Sequence, residues 1–318
     1  MKRALLSTAL CLALGFVSVS ARRPHAQSQP AERTMKHPAG TLSPAAVDPA
    51  RPWGWAVRAS LEHPDQKLYN VAKQKLLDGK QVFSHTIRQF DVATYCQQAP
   101  HYDFTWFEMQ HSTMSWADIE KMMAACPRAG AAPMVRMPDA LEANVQKATD
   151  IGALGIIIPT VDDAIEARDA AKYSRYPPLA RRSTGGGLAT ELWTPLVPPG
   201  SSYHKSINDN MLVVVMIETV EGVNNALEIA SQPGVDVVIQ GNNDLEQFSG
   251  YPATDDHYQD LLTRIRNATY QAGKFWGNAN YAYYKGNRLS PDSRFHQGGP
   301  TVDGWVATAR GATDRRSQ

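Results

Sequence analysis

The sequence predicts an α/β protein, a (β/α)8 barrel, on three observations. Short β-branched or aromatic runs alternate with amphipathic stretches of helical period from residue 82 onward. Most of the runs are continuously apolar rather than alternating, as strands covered on both faces are. The alternation repeats about eight times in roughly 265 residues, which favours a closed barrel over a doubly wound open sheet.

The strand candidates are 82–87 (VFSHTI), 103–108 (DFTWFE), 132–137 (APMVRM), 155–160 (GIIIPT), 212–218 (LVVVMIE) and 235–240 (VDVVIQ). Weaker ones follow at 274–279 (KFWGNA) and 302–308 (VDGWVAT). A leading helix is expected over 65–78. Residues 115–126 open with Ser115 and Asp118 in capping-box spacing and stop before Pro127. Residues 161–173 follow Thr160 as the expected N-cap, and 141–151, 220–232 and 255–272 complete the helices. No G-x-G-x-x-G follows the first strands, and there is no P-loop. The Gly-rich STGGG at 183–187 follows a helix and a Pro-Pro pair, so it reads as a flexible loop.

The N-terminus reads differently. Lys2 and Arg3 precede an apolar stretch from Ala4 to Val19, then Ser20 and Ala21. That is the layout of a secretory signal peptide over residues 1–21, with cleavage after Ala21 or as late as Ala26. A membrane span needs about 20 apolar residues, and Leu10 before Cys11 does not suit a lipid anchor, so no stable membrane anchor is expected. Residues 22–52 carry six prolines among small and polar residues and read as a disordered lead. The remaining 53–318 is expected to form a single domain, exported to the periplasm or secreted. Cys96 and Cys126 then remain; they pair if their Cα atoms lie within about 7 Å, or stay as separate buried thiols. The formal charge of +1 gives no electrostatic case for nucleic acid.

In a barrel of this kind chemistry belongs at the C-terminal strand ends. Those ends carry Glu108-Met109-Gln110-His111, Arg136, Glu218 and the run Gly241-Asn242-Asn243-Asp244. Glu218 and Asp244 are one strand–helix–strand module apart, so they fall on neighbouring strands, which lie about 4.8 Å apart. Two carboxylates that close need a proton or a cation between them, and a hard divalent ion is one answer. A salt bridge for Glu218 and a turn cap for Asp244 are the other. Arg136 can grip a substrate oxyanion through paired hydrogen bonds or serve a barrel acid. A lone histidine such as His111 is more often structural than a proton carrier.

Two stretches carry a family resemblance. GALGIIIPTVDDAIEARDAAKYSRYPPLARRS (152–183) and VVVMIETVEGVNNALEIASQPGVDVVIQGNNDLEQFSG (213–250) resemble blocks of the HpcH/HpaI aldolase/citrate lyase family, in particular its 4-hydroxy-2-oxoheptanedioate aldolase-like members. The resemblance covers roughly 70–280 and implies a TIM barrel of the phosphoenolpyruvate/pyruvate-binding type. It implies that Glu218 and Asp244 bind Mg²⁺, Mn²⁺ or Co²⁺, and that Arg136 steadies the enolate of a 2-oxo acid. It further implies that His111 moves protons, and that Gly241 and Asn242 lie against the substrate carboxylate. The implied reaction is cleavage of a 4-hydroxy-2-oxo acid to pyruvate and an aldehyde, by a homo-oligomer. Another carbon–carbon lyase reaction of the superfamily is the alternative, as is a non-catalytic barrel that only binds metal and oxo acid.

The chain also departs from the family. Asp-x-Glu-His is usual where Glu108 to His111 stand, so the acid expected to orient the histidine is one methylene longer and Gln110 replaces an acid. His85 stands near a commonly aromatic position, with Arg88 just beyond. A Tyr-rich loop at 280–300 is unusual, and little length follows for a last barrel helix, so assembly is expected to differ. Export is unexpected too, since familiar members are cytoplasmic.

Overall fold

The computed structural model describes residues 67–305 apart from 285, 286 and 288. The expected signal peptide and Pro-rich lead lie outside the described residues. Eight parallel strands close into a barrel in sequence order: β1 (Val82–Ile87), β2 (Phe104–Glu108), β3 (Ala132–Arg136), β4 (Gly155–Ile158), β5 (Leu212–Ile217), β6 (Val237–Gln240), β7 (Phe275–Asn278) and β8 (Phe295–His296). Every neighbouring pair is parallel, β8 closing on β1 through Val82↔Phe295 and Phe83↔His296.

Side chains alternate along each strand between two cores. Phe104, Trp106, Met134, Val214, Met216, Val237, Ile239 and Phe295 fill the barrel. Phe107, Val135, Val213, Val215, Ile217 and Val238 face the helices. Both sides of β2 to β8 are buried, which is why most strands read as apolar runs, whereas β1 is partly exposed. The same parity puts Glu108, Arg136, Glu218 and Gly241 on the inner column at its C-terminal rim.

Seven helices flank the first five strands: α1 (Val71–Leu77), α2 (Val92–Gln98), α3 (Trp116–Ala125), α4 (Glu142–Asp150), α5 (Ala164–Ser174), α6 (Leu188–Trp193) and α7 (Tyr203–Asn210). Then come α8 (Val220–Asn224), α9 (Ala226–Ala230), α10 (Asn242–Ser249), α11 (Asp256–Gln271) and α12 (Tyr281–Tyr284). The helix α1 plugs the far end of the barrel. Its Ala72 and Leu76 join the inner core, while the buried Lys73 donates to the carbonyls of Asp209 and, at 2.7 Å, Met211. The capping box of Ser115 and Asp118 is present as expected.

Four expectations are corrected. The eighth strand is Phe295–His296, not 302–308. Phe295 fills the inner core and stacks on Phe104 at 4.4 Å between ring centroids, whereas a two-residue strand leaves no period to read. The described part of 302–308 instead folds back on His101, whose ring stacks with Trp305 at 4.2 Å and whose carbonyl accepts from Val302 at 2.9 Å; residues 306–308 lie outside the described residues. Thr160 does not cap a helix. The helix begins at Ala164 behind Asp163, whose carboxylate accepts from the N–H of Ile165 at 2.7 Å and of Glu166 at 2.9 Å. Residues 220–232 form two short helices, α8 and α9, broken at Asn225. Cys96 and Cys126 are a disulfide, with Cα atoms 5.6 Å apart, tying α2 to the end of α3; the reading as separate thiols is set aside. Five helices were not foreseen: α2, α6, α7, α10 and the short α12, which lies in the expected Tyr-rich loop.

Candidate active site

The rim of β5 delivers Glu218 onto the barrel axis side, 1% exposed. One of its oxygens, Oε2, is committed: it accepts from Thr160 N–H at 2.8 Å and Thr160 Oγ1 at 2.9 Å. Thr160 holds φ at +47°, which is uncommon for a β-branched residue. That backbone conformation, paid for by the two bonds, turns both donors onto Glu218. The other oxygen, Oε1, has Arg136 at 3.5 Å and lies over Gly241, where a Cβ would come within 2.0 Å. Glycine at 241 is therefore what leaves room for the carboxylate. A second close approach fixes the chain just after it: a Cβ on Gly222 would stand 2.7 Å from the Val161 carbonyl, so α8 can pack directly on the loop after β4.

Arg136 is 7% exposed and spans two acids. Its Nη1 donates to Glu108 Oε2 at 3.3 Å, and its Nη2 faces Glu218 Oε1 and, at 3.7 Å, Met216 Sδ. Its Nε is buried with no partner among the described residues. Glu108 is wholly buried. Besides Arg136, its Oε2 accepts from Trp106 Nε1 at 3.2 Å, and its Oε1 accepts the backbone N–H of Gln110 at 3.0 Å and of His111 at 3.1 Å.

The remaining expected residues fall nearby but not all into one constellation. Asp244 is the third residue of α10, not a strand-end residue, half-buried and without a hydrogen bond or ion pair to another described residue. Asn242 is buried, and its carbonyl at 3.2 Å and side-chain oxygen at 3.4 Å both accept from Tyr258 Oη in the helical layer, which turns the side chain away from the rim. The His111 ring is exposed and makes no side-chain bond to a described residue; Glu108 holds its backbone, not its imidazole. Gln110 is half-buried, its Oε1 buried without a partner.

Burial pushes the Glu218 carboxyl above its ordinary value, against the pull of Arg136 and Thr160, and the Asp244 charge pushes the same way. A carboxyl in that state wants a proton or a cation. The residues present fit a divalent ion: Oε1 of Glu218 accepts no hydrogen bond from a described residue, and Asp244 is close enough to be felt and is unspent. No group of three or more His, Cys, Asp or Glu able to hold a metal occurs among the described residues. Two carboxylates, with water and substrate oxygens completing the shell, suit Mg²⁺ or Mn²⁺ rather than zinc.

Three members of this arrangement escaped the sequence: Thr160, taken for a helix cap, and Trp106 and Met216, read only as strand residues. A signal for Trp106 was available, since it stands two residues before Glu108 and thus on the same face of β2.

A parallel eight-stranded barrel with two acids and an arginine paired at its C-terminal rim is the architecture in which barrel enzymes place their chemistry. The particular membership follows from comparison. The HpcH/HpaI aldolase/citrate lyase family profile matches residues 90–286, more than half of the chain, and the chain belongs to that family. A 2-keto-3-deoxy-L-rhamnonate aldolase of Shigella sonnei is 28% identical over 179 residues, 54% of this chain and 66% of its own length. A hydroxypyruvate/pyruvate aldolase of Rhizorhabdus wittichii is 32% identical over 192 residues, 58% of this chain and 74% of its own. The HpcH/HpaI aldolase structure from Desulfitobacterium hafniense superposes with a TM-score of 0.63 at 25% identity, covering 71% of this chain and 90% of that one. The chain thus spans just under two thirds of the length of the first of these relatives.

Proposed function

We propose that the chain is a metal-dependent carbon–carbon lyase that cleaves a 4-hydroxy-2-oxo acid to pyruvate and an aldehyde. The observation that carries this is Arg136, nearly buried at the C-terminal rim with its terminal nitrogens facing Glu108 and Glu218. A guanidinium held by two acids at the rim offers fixed positive charge to a substrate oxyanion. Glu218 and Asp244 would hold Mg²⁺, Mn²⁺ or Co²⁺, which when bound supplies a Lewis acid for the oxo acid's oxygens.

The chain's own residues do the rest. Breaking the bond between C3 and C4 sends an electron pair toward the C2 oxygen, and Arg136 adds fixed positive charge there. The C4 hydroxyl must lose a proton and C3 must gain one. His111, exposed at the rim, can carry protons through water. Gly241, lacking a side chain, leaves room for the Glu218 carboxylate on the side expected to take the substrate's carboxylate. Turnover is tested by pyruvate release from a panel that includes 2-keto-3-deoxy-L-rhamnonate. EDTA should abolish release and Mn²⁺ restore it; metal-loaded protein inert on every member would refute the lyase reading.

A second reading, an oxo-acid-binding barrel without turnover, is favoured by one observation: no carboxylate orients the His111 ring. Mn²⁺-dependent oxalate binding with no pyruvate release would select it. Export is part of the proposal, supported by the signal-like start of the chain and by the Cys96–Cys126 disulfide, a bond typical of oxidising compartments. So is a homo-oligomer: Phe90, Leu141, Ile165 and Phe248 are each at least half exposed on segments following β1, β3, β4 and β6. Among the described residues no helix is long and apolar enough to cross a membrane.

A further inference from the structure

We infer that Glu108, itself held by Trp106, is a positioning residue for Arg136, and that it keeps the guanidinium from collapsing onto Glu218. The inference rests on the lyase reading above and departs from the role expected for this acid, which was to orient His111. Four donors converge on the Glu108 carboxylate. Two are backbone N–H groups of the turn after β2, one is the Trp106 indole, and the fourth is Arg136. Both lone-pair faces of Oε1 serve the turn, so only Oε2 reaches across to β3, where Glu108 and Arg136 are register partners. No acceptor on this carboxylate remains for the imidazole.

The balance at Arg136 makes the consequence specific. Its two terminal nitrogens lie 3.3 Å from Glu108 Oε2 and 3.5 Å from Glu218 Oε1, nearly equidistant between two buried acids. A guanidinium drawn from both sides stays central, and its charge remains at the rim for an incoming oxyanion. With Glu108 neutralised, the pull is one-sided, and the cation closes on Glu218 Oε1. That is the oxygen packed over Gly241, the one not already bonded to Thr160. A single change in β2 therefore weakens two properties at once: oxyanion binding at Arg136 and cation binding at Glu218.

The turn-capping role of Glu108 must be separated from its role toward Arg136, and the length of the side chain does this. Glu108→Gln keeps the side-chain shape but cannot offer acceptors to both the turn and Arg136. Glu108→Asp keeps the charge and can still reach the nearby N–H groups of residues 110 and 111, but falls short of β3. Trp106→Phe removes one donor from Oε2 and leaves the ring packed in the barrel.

The experiment measures oxalate and Mn²⁺ affinity by calorimetry on the full chain and its variants, with melting temperature alongside, and a crystal structure of Glu108→Gln. The expected result is oxalate binding weakened about tenfold or more in Glu108→Gln, with Mn²⁺ binding weakened in parallel. Glu108→Asp should recover the melting temperature but not the oxalate affinity, and Trp106→Phe should fall between. The crystal structure should show Arg136 moved onto Glu218. Unchanged oxalate and Mn²⁺ affinity in Glu108→Gln would overturn the inference, as would recovery of both affinity and melting temperature in Glu108→Asp, which marks a turn cap only. Should the unaltered protein bind no oxalate with Mn²⁺, the lyase reading fails. The position of Arg136 in the Glu108→Gln structure then decides the positioning role by itself.

Discussion

Replacing Gly241 by alanine is the sharpest single perturbation of the metal reading. Gly241 has φ of −94° and ψ of 104°, values open to any residue, so alanine strains no backbone there. Its Cβ would nonetheless stand 2.0 Å from Glu218 Oε1 and 2.7 Å from both Cδ and Cγ. Ordinary contact begins near 3.5 Å, so the carboxylate must retreat by about 1.5 Å. A metal ligand tolerates displacement of only about 0.2 Å. The retreat also breaks the Thr160 bonds at 2.8 and 2.9 Å. Hydrogen bonds to a charged group contribute about 1.5–3 kcal/mol each, but a freed carboxyl can take up a proton, so we expect about 2–3 kcal/mol of lost stability. Manganese titration by calorimetry, with thermal unfolding run with and without Mn²⁺, reads both effects. Affinity should fall by about tenfold or more, and the stabilisation that Mn²⁺ gives the unaltered protein should disappear. An alanine variant that binds Mn²⁺ as tightly as its parent would refute the assignment of Glu218 as a ligand.

Two further outcomes follow from features outside the rim. The disulfide joins cysteines 30 residues apart, a loop whose closure is associated with about 3.6 kcal/mol on the chain-entropy account; dithiothreitol should lower the melting temperature by roughly 10 °C, and an unchanged midpoint would show that the bond contributes nothing. His296 is fully buried, stacked on Phe83 and set edge-on to Tyr281, with Nδ1 2.8 Å from Asn278 Nδ2. Burial lowers its pKa from 6.5 to about 4, with the Arg294 charge pushing the same way. The folded chain thus holds this proton less tightly than the unfolded one. Stability present above pH 6.5 is lost as the pH falls toward 4, by about 3 kcal/mol for this group alone. Urea titrations from pH 7 to 4 should show a flatter decline in His296→Asn, and identical slopes would remove His296 as the cause.

The fold was legible where burial is two-sided and long. Runs such as LVVVMI suit a strand with helices on one side and the barrel core on the other, and β5 spans Leu212–Ile217, one residue short of the expected 212–218. Legibility failed where tertiary contacts replace local pattern. Phe295 and His296 form a strand because Phe104 and Val82 wait for them, not because two residues show a period. Thr160 looked like a cap because threonine before a helical stretch usually is one. Its hydroxyl was claimed instead by a carboxylate 58 residues away, a competition that no local rule can see.

The site divides along the same line. Which acids and which arginine reach the rim was readable, because strand parity and strand ends are sequence properties, and Glu108, Arg136 and Glu218 do meet there. What each acid does was not, because a carboxylate has two oxygens and its role depends on where both are spent. Glu218 spends one on Thr160 and leaves the other over Gly241. Glu108 spends one on its own turn and the other on Trp106 and Arg136. The methylene that makes residue 108 a glutamate rather than an aspartate is what lets the second oxygen reach across to β3. The substitution that looked like a weakened partner for His111 is, in three dimensions, a longer arm toward Arg136.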